Sequence, residues 1–278
     1  MSRPEAPEPL PHPVVDNHCH LDIARDGEEP LTVDEALAAA GAVGVPRIVQ
    51  VGCDLAGSHW AARTAAAHDA IVAGVALHPN EAPLLAARGE LDAALAEIEA
   101  IATAEPRVRA IGETGLDYFR TDETGRAAQH ASFRAHIDMA ARLDRTLVIH
   151  DRDSHADVLA TLDEVGAPDR WVMHCFSGDA DFARACLDRG AYLSFAGTVT
   201  FKNAEPLREA LRIAPADRIL VETDAPFLTP TPHRGRTNAS YLVPLTVRSM
   251  AVTRGADLGE LCAGIEANTF AAFGGMWG

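Results

Sequence analysis

The chain has 278 residues, is 47% hydrophobic, carries a formal net charge of −16 and contains five cysteines. That length and apolar content suffice for one large core. No run of about 18 apolar residues is present to span a membrane, and the acidic balance argues against a protein that coats nucleic acid by counterion release. An enzyme that grips a few phosphates through bound cations is not excluded, because such cations are the largest local charges in a site.

Residues 1–13, MSRPEAPEPLPHP, are proline-rich and acidic. They read as a loose arm without the apolar segment of a signal peptide, so a cytoplasmic protein is expected. Eight apolar runs with strand character follow: 14–22, 47–52, 71–77, 108–117, 146–151, 171–176, 191–197 and 219–224. Helical patterns separate them at 32–44, 58–69, 91–104, 125–144, 154–166, 179–190 and 205–214, several opening on Ser, Thr or Asp and closing at Gly. Residues 225–242 are rich in Pro, Thr and Arg and predict a long loop over one mouth; helices are expected at about 243–254 and 257–272. Strands alternating with helices predict a parallel sheet, and eight repeats close it. The expected architecture is α/β, a single (β/α)8 TIM barrel over residues 14–278 with C-terminal helices.

Polar residues recur where these runs end. They are His18 and His20, Glu113, His150, His174 and Asp224. A barrel of this type builds its active site from residues at the carboxyl ends of its strands. Period two sends His18 and His20 to one face. One histidine at a strand exit is ordinarily a core or capping residue, but buried His, Glu and Asp are costly without partners, and six at once need a shared explanation. Four imidazoles and two carboxylates suit Zn, Mn or Co better than a lone Mg or Ca. Two divalent ions are expected, drawn from Zn, Mn, Co or Mg. Glu113 could bridge them, because the only lysine, Lys202, lies after strand seven and cannot serve as a carbamylated bridge on strand four. Two such ions can activate a water and stabilise both entering and leaving oxygens. Asp224 could take the proton, so Glu113 and Asp224 are the candidate catalytic residues.

The five cysteines are odd in number and include no Cys-x-x-Cys pair, which argues against a disulfide framework or a four-cysteine zinc site. Cys19 and Cys175 should point away from their histidine neighbours. His78 is a candidate substrate residue or a structural histidine. Arg152 could clamp a phosphate or pair with Asp117. Asp117, Tyr118 and Glu222 are expected to support ligands. Ser177 caps the next helix or touches a phosphate, and His233 lies in the mouth loop. His12, His59, His68, His130, His136 and His155 should be solvated.

The segments DNHCHLD (16–22), LHP (77–79), IGETGLDY (111–118), IHDRDSH (149–155), HCFSG (174–178), ETDAP (222–226) and RGRTN (234–238) occur in this order. Together they make the chain resemble the TatD-type metal-dependent deoxyribonucleases over about residues 14–272. The resemblance implies a barrel, a divalent-metal site on the same six residues, and hydrolysis of phosphodiesters with DNA as the nucleic-acid partner. Asn80 stands where the family usually has a second histidine, Ala239 where it often has proline, and NTFAAFG (268–274) is a loose version of the family ending. These departures touch the rim and bear on substrate preference. The acidic surface favours chain ends over long duplex and hence an exonuclease. A metal-dependent hydrolase of a small ester or amide on the same site is the alternative, and a metal-storing barrel is the non-enzymatic one.

Overall fold

The computed structural model describes residues 3–25 and 31–278. Eight parallel strands pair in chain order: β1 (Val15–Cys19), β2 (Arg47–Gly52), β3 (Ile71–Val75), β4 (Val108–Asp117), β5 (Thr146–Arg152), β6 (Trp171–Met173), β7 (Tyr192–Phe195) and β8 (Ile219–Val221). Helices α1 (Val33–Ala42), α2 (Leu55–Ala67), α3 (Ala82–Ala87), α4 (Leu91–Ala104), α5 (Glu123–Arg142), α6 (His155–Val165), α7 (Ala180–Leu187) and α8 (Glu205–Ile213) lie between them, and α9 (Val243–Arg254) and α10 (Leu258–Ala272) follow. This is the expected (β/α)8 barrel. Three helices start on the predicted caps: Thr32 forms a reciprocal capping box with Glu35, and Asp179 and Asp257 accept first-turn N–H groups; α2 and α5 start earlier than expected, on Asp54 and Asp122, which cap them in the same way. Among the described residues no helix is long and apolar enough to cross a membrane.

Closure of the barrel is unusual. β8 is three residues long, and the chain beyond it completes the seam. Asp224 N–H donates to His18 O at 2.9 Å and His20 N–H donates to Ala225 O at 2.8 Å. The buried Asp16 carboxylate accepts Thr223 N–H at 2.9 Å and Thr223 Oγ1 at 2.6 Å. The loop after the seam is pinned by Asn238, whose Nδ2 donates to Thr223 O and Phe227 O at 2.9 and 2.7 Å. The arm expected to be loose has no helix or strand along 3–14, yet it is fastened. Leu10 is buried and donates to Val43 O, and Tyr241 Oη donates to Pro4 O at 2.7 Å.

Inside the barrel, Val15, Val49, Val72, Ala110, Val148, Val172, Tyr192 and Leu220 meet Phe273 and Trp277 of the C-terminal segment. These form the floor. From this layer, period two leads up the strands: Val51 then Cys53, Ala76 then His78, Val148 to His150, Val172 to His174, and Leu220 through Glu222 to Asp224. The two exceptions are β1 and β4, where Val15 and His18, and Ala110 and Glu113, are three apart. Both strands shift register there, between Asp16 and Cys19 and between Ile111 and Thr114. Each bulge resets the alternation and turns a polar side chain into the barrel.

On β4 the bulge depends on glycine. Gly115 has φ +140°, and a Cβ there would lie 2.0 Å from His150 O; at Gly112, with φ +158°, it would lie 2.5 Å from Val148. A side chain at either position would push β5 away and carry His150 from Glu113. Gly255, by contrast, is a left-handed helix cap at φ +61° with open space around it. Gly115→Ala is expected to destabilise the fold by about 3 kcal/mol, from overpacking plus backbone strain. Gly255→Ala should cost about 1 kcal/mol. Urea unfolding of both variants checks this; equal costs would remove the close approach as the reason for the glycine.

Candidate metal centre

The six residues at the strand exits converge. His18 Nε2 lies 3.3 Å from His20 Nε2 and 3.5 Å from Glu113 Oε2. His20 Nε2 lies 3.4 Å from Asp224 Oδ1. On the other side of the same carboxylate, His174 Nε2 is 3.2 Å, His78 Nε2 3.5 Å and His150 Nδ1 2.6 Å from Glu113 Oε1. His18, His20, Glu113 and His174 are buried, whereas His78, His150 and Asp224 are partly open to a cavity of about 510 Å³. Glu113 thus has one oxygen toward His18, His20 and Asp224, and one toward His78, His150 and His174.

The donor set fits divalent ions. Two N or O donors about 2.0–2.1 Å from one tetrahedral ion sit about 3.3 Å apart. The His18–His20, His20–Asp224, His18–Glu113 and His20–Glu113 separations run from 3.3 to 3.8 Å. Groups of at least three ligand atoms within reach of one ion include His18–His20–Asp224 and His78–Glu113–His150. The contact of 2.6 Å between His150 and Glu113 is shorter than such a spacing and is a hydrogen bond.

Outer partners orient the ligands. His20 Nδ1 donates to Val51 O at 2.8 Å, which turns Nε2 into the site. His174 Nδ1 faces the fully buried Glu222 at 2.9 Å, and Ser194 Oγ donates to the other Glu222 oxygen at 2.5 Å. Asp117 accepts Phe119 and Arg120 N–H groups and lies 3.4 Å from His150 Nε2. Asp117 and Glu222 therefore support His150 and His174. Tyr118 does not: its hydroxyl donates to Asp157 and it lies away from the ligands.

The electrostatics follow from this enclosure. Burial opposes ionisation of Glu113, yet His174 and His78 together with hydrogen bonds from His150 and His174 hold its carboxyl well below the usual range. Burial also opposes charge on His150, but Asp117 and Glu113 outweigh it and raise the imidazole to about 9. Burial and the neighbouring His174 lower His18, so it stays neutral. The imidazoles of His150 and His174 thus balance the carboxylates they face.

Other expectations are adjusted. Arg152 does not pair with Asp117 among the described residues; it lines the cavity and stacks at 3.8 Å on Phe119, which is 62% exposed. Ser177 also lines the cavity. Cys19 packs outward on Ile48 and Ala225, as expected. Cys175 does not turn into the core; it is partly exposed and lines the cavity, because its backbone adopts φ +43° and leaves the strand alternation. His136 is not solvated but wholly buried. It accepts Leu77 N–H on Nε2 and donates from Nδ1 to Ser132 O, and burial lowers it to about 4. One site residue went unread: the Cys53 thiol lies 3.7 Å from Glu113 Oε2 and 3.7 Å from His20 Nδ1. Its position two after Val51 on the inward face of β2 was the signal.

Comparisons with known proteins agree with this geometry. The profile of the family described as TatD related DNase matches residues 15–274. The chain is 43% identical over 95% of its length to the uncharacterized metal-dependent hydrolase TatD of Mycobacterium tuberculosis, covering 99% of that protein. It is 36% identical to the 3'-5' ssDNA/RNA exonuclease TatD of Citrobacter rodentium, over 87% of this chain and 91% of that one. The crystal structure of YJJV, a TatD homologue from Escherichia coli K12, superposes with a TM-score of 0.85 at 24% identity, covering 94% and 98% of the two chains. A (β/α)8 barrel with this ligand cage, matched by the family profile from β1 to the last helix, belongs to the TatD family of metal-dependent hydrolases.

Proposed function

We propose that the chain is a nuclease that hydrolyses phosphodiester bonds at the ends of single-stranded DNA, using two divalent ions bridged by Glu113. The observation that carries the reading is the pairing of the ligand cage with the cavity rim. Arg152 and the Phe227 ring, 44% exposed, line the same cavity as the ligands, and the Arg152 guanidinium stacks on the exposed ring of Phe119. A planar cation suits a phosphate, and an exposed ring stacks any nucleobase. Duplex DNA would hide those bases. The relative named as a single-strand exonuclease supports the same reading.

His18, His20 and Asp224 would hold one ion and His150 and His174 the other, with His78 beside the second. When bound, the ions supply charge neutralisation at the phosphoryl oxygens and lower the pKa of a water. The chain's own residues do the rest. Arg152 orients the phosphate. Phe227 holds the terminal base at the rim. Asp224, whose carboxylate is 16% exposed toward the cavity, accepts the proton of the attacking water. Val51 O and Glu222 keep His20 and His174 aimed. The proposed cell compartment is the cytoplasm, and residues 14–278 are proposed as one functional domain.

Activity should vanish with a chelator and return with a divalent ion. Imidazoles must be neutral to ligate. Because His150 is raised to about 9 in the metal-free site, its proton leaves when metal binds at neutral pH. Apparent metal affinity is therefore expected to fall about tenfold per pH unit as pH drops below about 9. Calorimetric titration at pH 7 in buffers of different ionisation enthalpy reads the released proton directly; binding without proton release would contradict the arrangement around Glu113.

Glu113→Ala should lower metal affinity by more than about 100-fold at both sites. Glu222→Gln, whose side chain faces His174 alone among the ligands, should stay within the roughly 10–100-fold range of a supporting residue. Equilibrium dialysis with metal analysis compares them, and circular dichroism checks that both fold. Equal effects would deny Glu113 its bridging place.

With a net charge of −16 the protein lacks a long basic track, so about one to three phosphate contacts are expected, with a salt slope near −0.7 per contact on single strands. An end-labelled single-stranded oligonucleotide should be degraded from its end, and a closed circle of equal length should resist. Rapid nicking of the circle, or cleavage of a small ester or amide in its place, would sink the exonuclease reading. Phe227→Ala should raise KM for the oligonucleotide about tenfold through lost stacking.

A further inference from the structure

We infer that the Cys53 thiol is a ligand-donating wall of this metal centre and biases it toward thiophilic ions such as Zn and Co over Mg. The inference rests on the metal-dependent reading and adds to it a residue outside the six at the strand exits. Cys53 follows β2 and continues the inward alternation Val49, Val51, Cys53, so the fold aims it at the barrel axis. Its Sγ lies 3.7 Å from Glu113 Oε2. A thiolate 2.3 Å and an oxygen about 2.0 Å from one tetrahedral ion are about 3.5 Å apart. The sulfur therefore stands where a donor adjacent to Glu113 on the same ion would stand. His20, Cys53 and Glu113 form a group able to hold an ion, and Cys53 lines the cavity.

The alternative packing reasons are weak. Cys53 is partly exposed, unlike Cys19, Cys186 and Cys262, which are buried and lie outside the cavity lining. It is not part of the hydrophobic core. Its contacts are a carboxylate and an imidazole that both belong to the metal centre. A soft thiolate in a site otherwise made of imidazole and carboxylate selects among divalent ions by ligand type. On binding, the S–H bond breaks, the proton passes to solvent, and the S–metal bond forms; no electron is transferred.

The test is cobalt substitution of the metal-free protein. Co(II) bound to the wild type is expected to give a near-ultraviolet thiolate-to-cobalt charge-transfer band that Cys53→Ser lacks and Cys175→Ser keeps. Zn affinity should fall about tenfold or more in Cys53→Ser, while Mg affinity stays unchanged, which equilibrium dialysis reads. Cobalt bound with no charge-transfer band in the wild type, or a band that survives Cys53→Ser, overturns the thiol assignment and leaves the metal reading standing. No cobalt bound at all overturns both. Cys53→Ala, which removes the donor without a hydroxyl, should match Cys53→Ser in spectrum; if the serine variant misfolds, the alanine variant carries the comparison.

Discussion

One carboxylate, Glu113, organises this barrel's open end. Its two oxygens face two groups of imidazoles, and its side chain is almost wholly buried. A lone buried carboxylate of this kind would cost several kcal/mol, and in general such a group neutralises instead. Here it stays charged because His150, His174 and His78 surround it. Conversely His150 and His174 tolerate burial and charge because Glu113, Asp117 and Glu222 face them. Neither half of the cage is stable in an apolar interior without the other. Divalent cations would take the place of the protons on those imidazoles beside the same carboxylates.

That arrangement puts a demand on the backbone. Five strands deliver polar side chains by plain alternation from an apolar floor, but β1 and β4 would have delivered the wrong face. Both carry a bulge at the layer between floor and site. On β4 the bulge brings the chain so near β5 that only glycine fits beside His150. On β1 the bulge lies next to the seam, where Asp224 and His18 are joined through their backbones. Barrel closure and ligand placement are thus one feature: the hydrogen bonds that shut the sheet are made by residues whose side chains hold the site. Asp224 pays for this with φ +54°, a region that costs a non-glycine residue of order 1 kcal/mol or more.

Much of this was legible in the sequence, for physical reasons that also mark the limits. The eight strands are apolar runs, most of them rich in Val and Ile, and the polar exits of five of them named the candidate ligands. β6 and β8 prove shorter than their runs, so His174 lies just past β6 and Asp224 three residues past β8 rather than within a strand. Helix α3 was missed because six residues beside Pro83 give too little periodicity to see. His136 was misread because its neighbours on α5 are polar enough to suggest solvent, while its ring fills a gap under Leu77 and is satisfied on both nitrogens. Cys175 was misread because strand alternation was carried one residue too far, into backbone that had already turned.

Cys53 is the instructive omission. Cysteines invite a reading in pairs, as disulfides or Cys-x-x-Cys sites, and an unpaired one is set aside. The alternation of β2 held the missing information. Once Val49 and Val51 are known to form the floor, the next inward position belongs to the site whatever residue occupies it. The same rule places His78 above Ala76 and explains why it sits 3.5 Å from Glu113 rather than at the outer mouth. In a barrel whose floor can be identified, every residue an even number of positions above it on an unbulged strand is a candidate for the chemistry. The bulged strands need the extra knowledge that only register supplies.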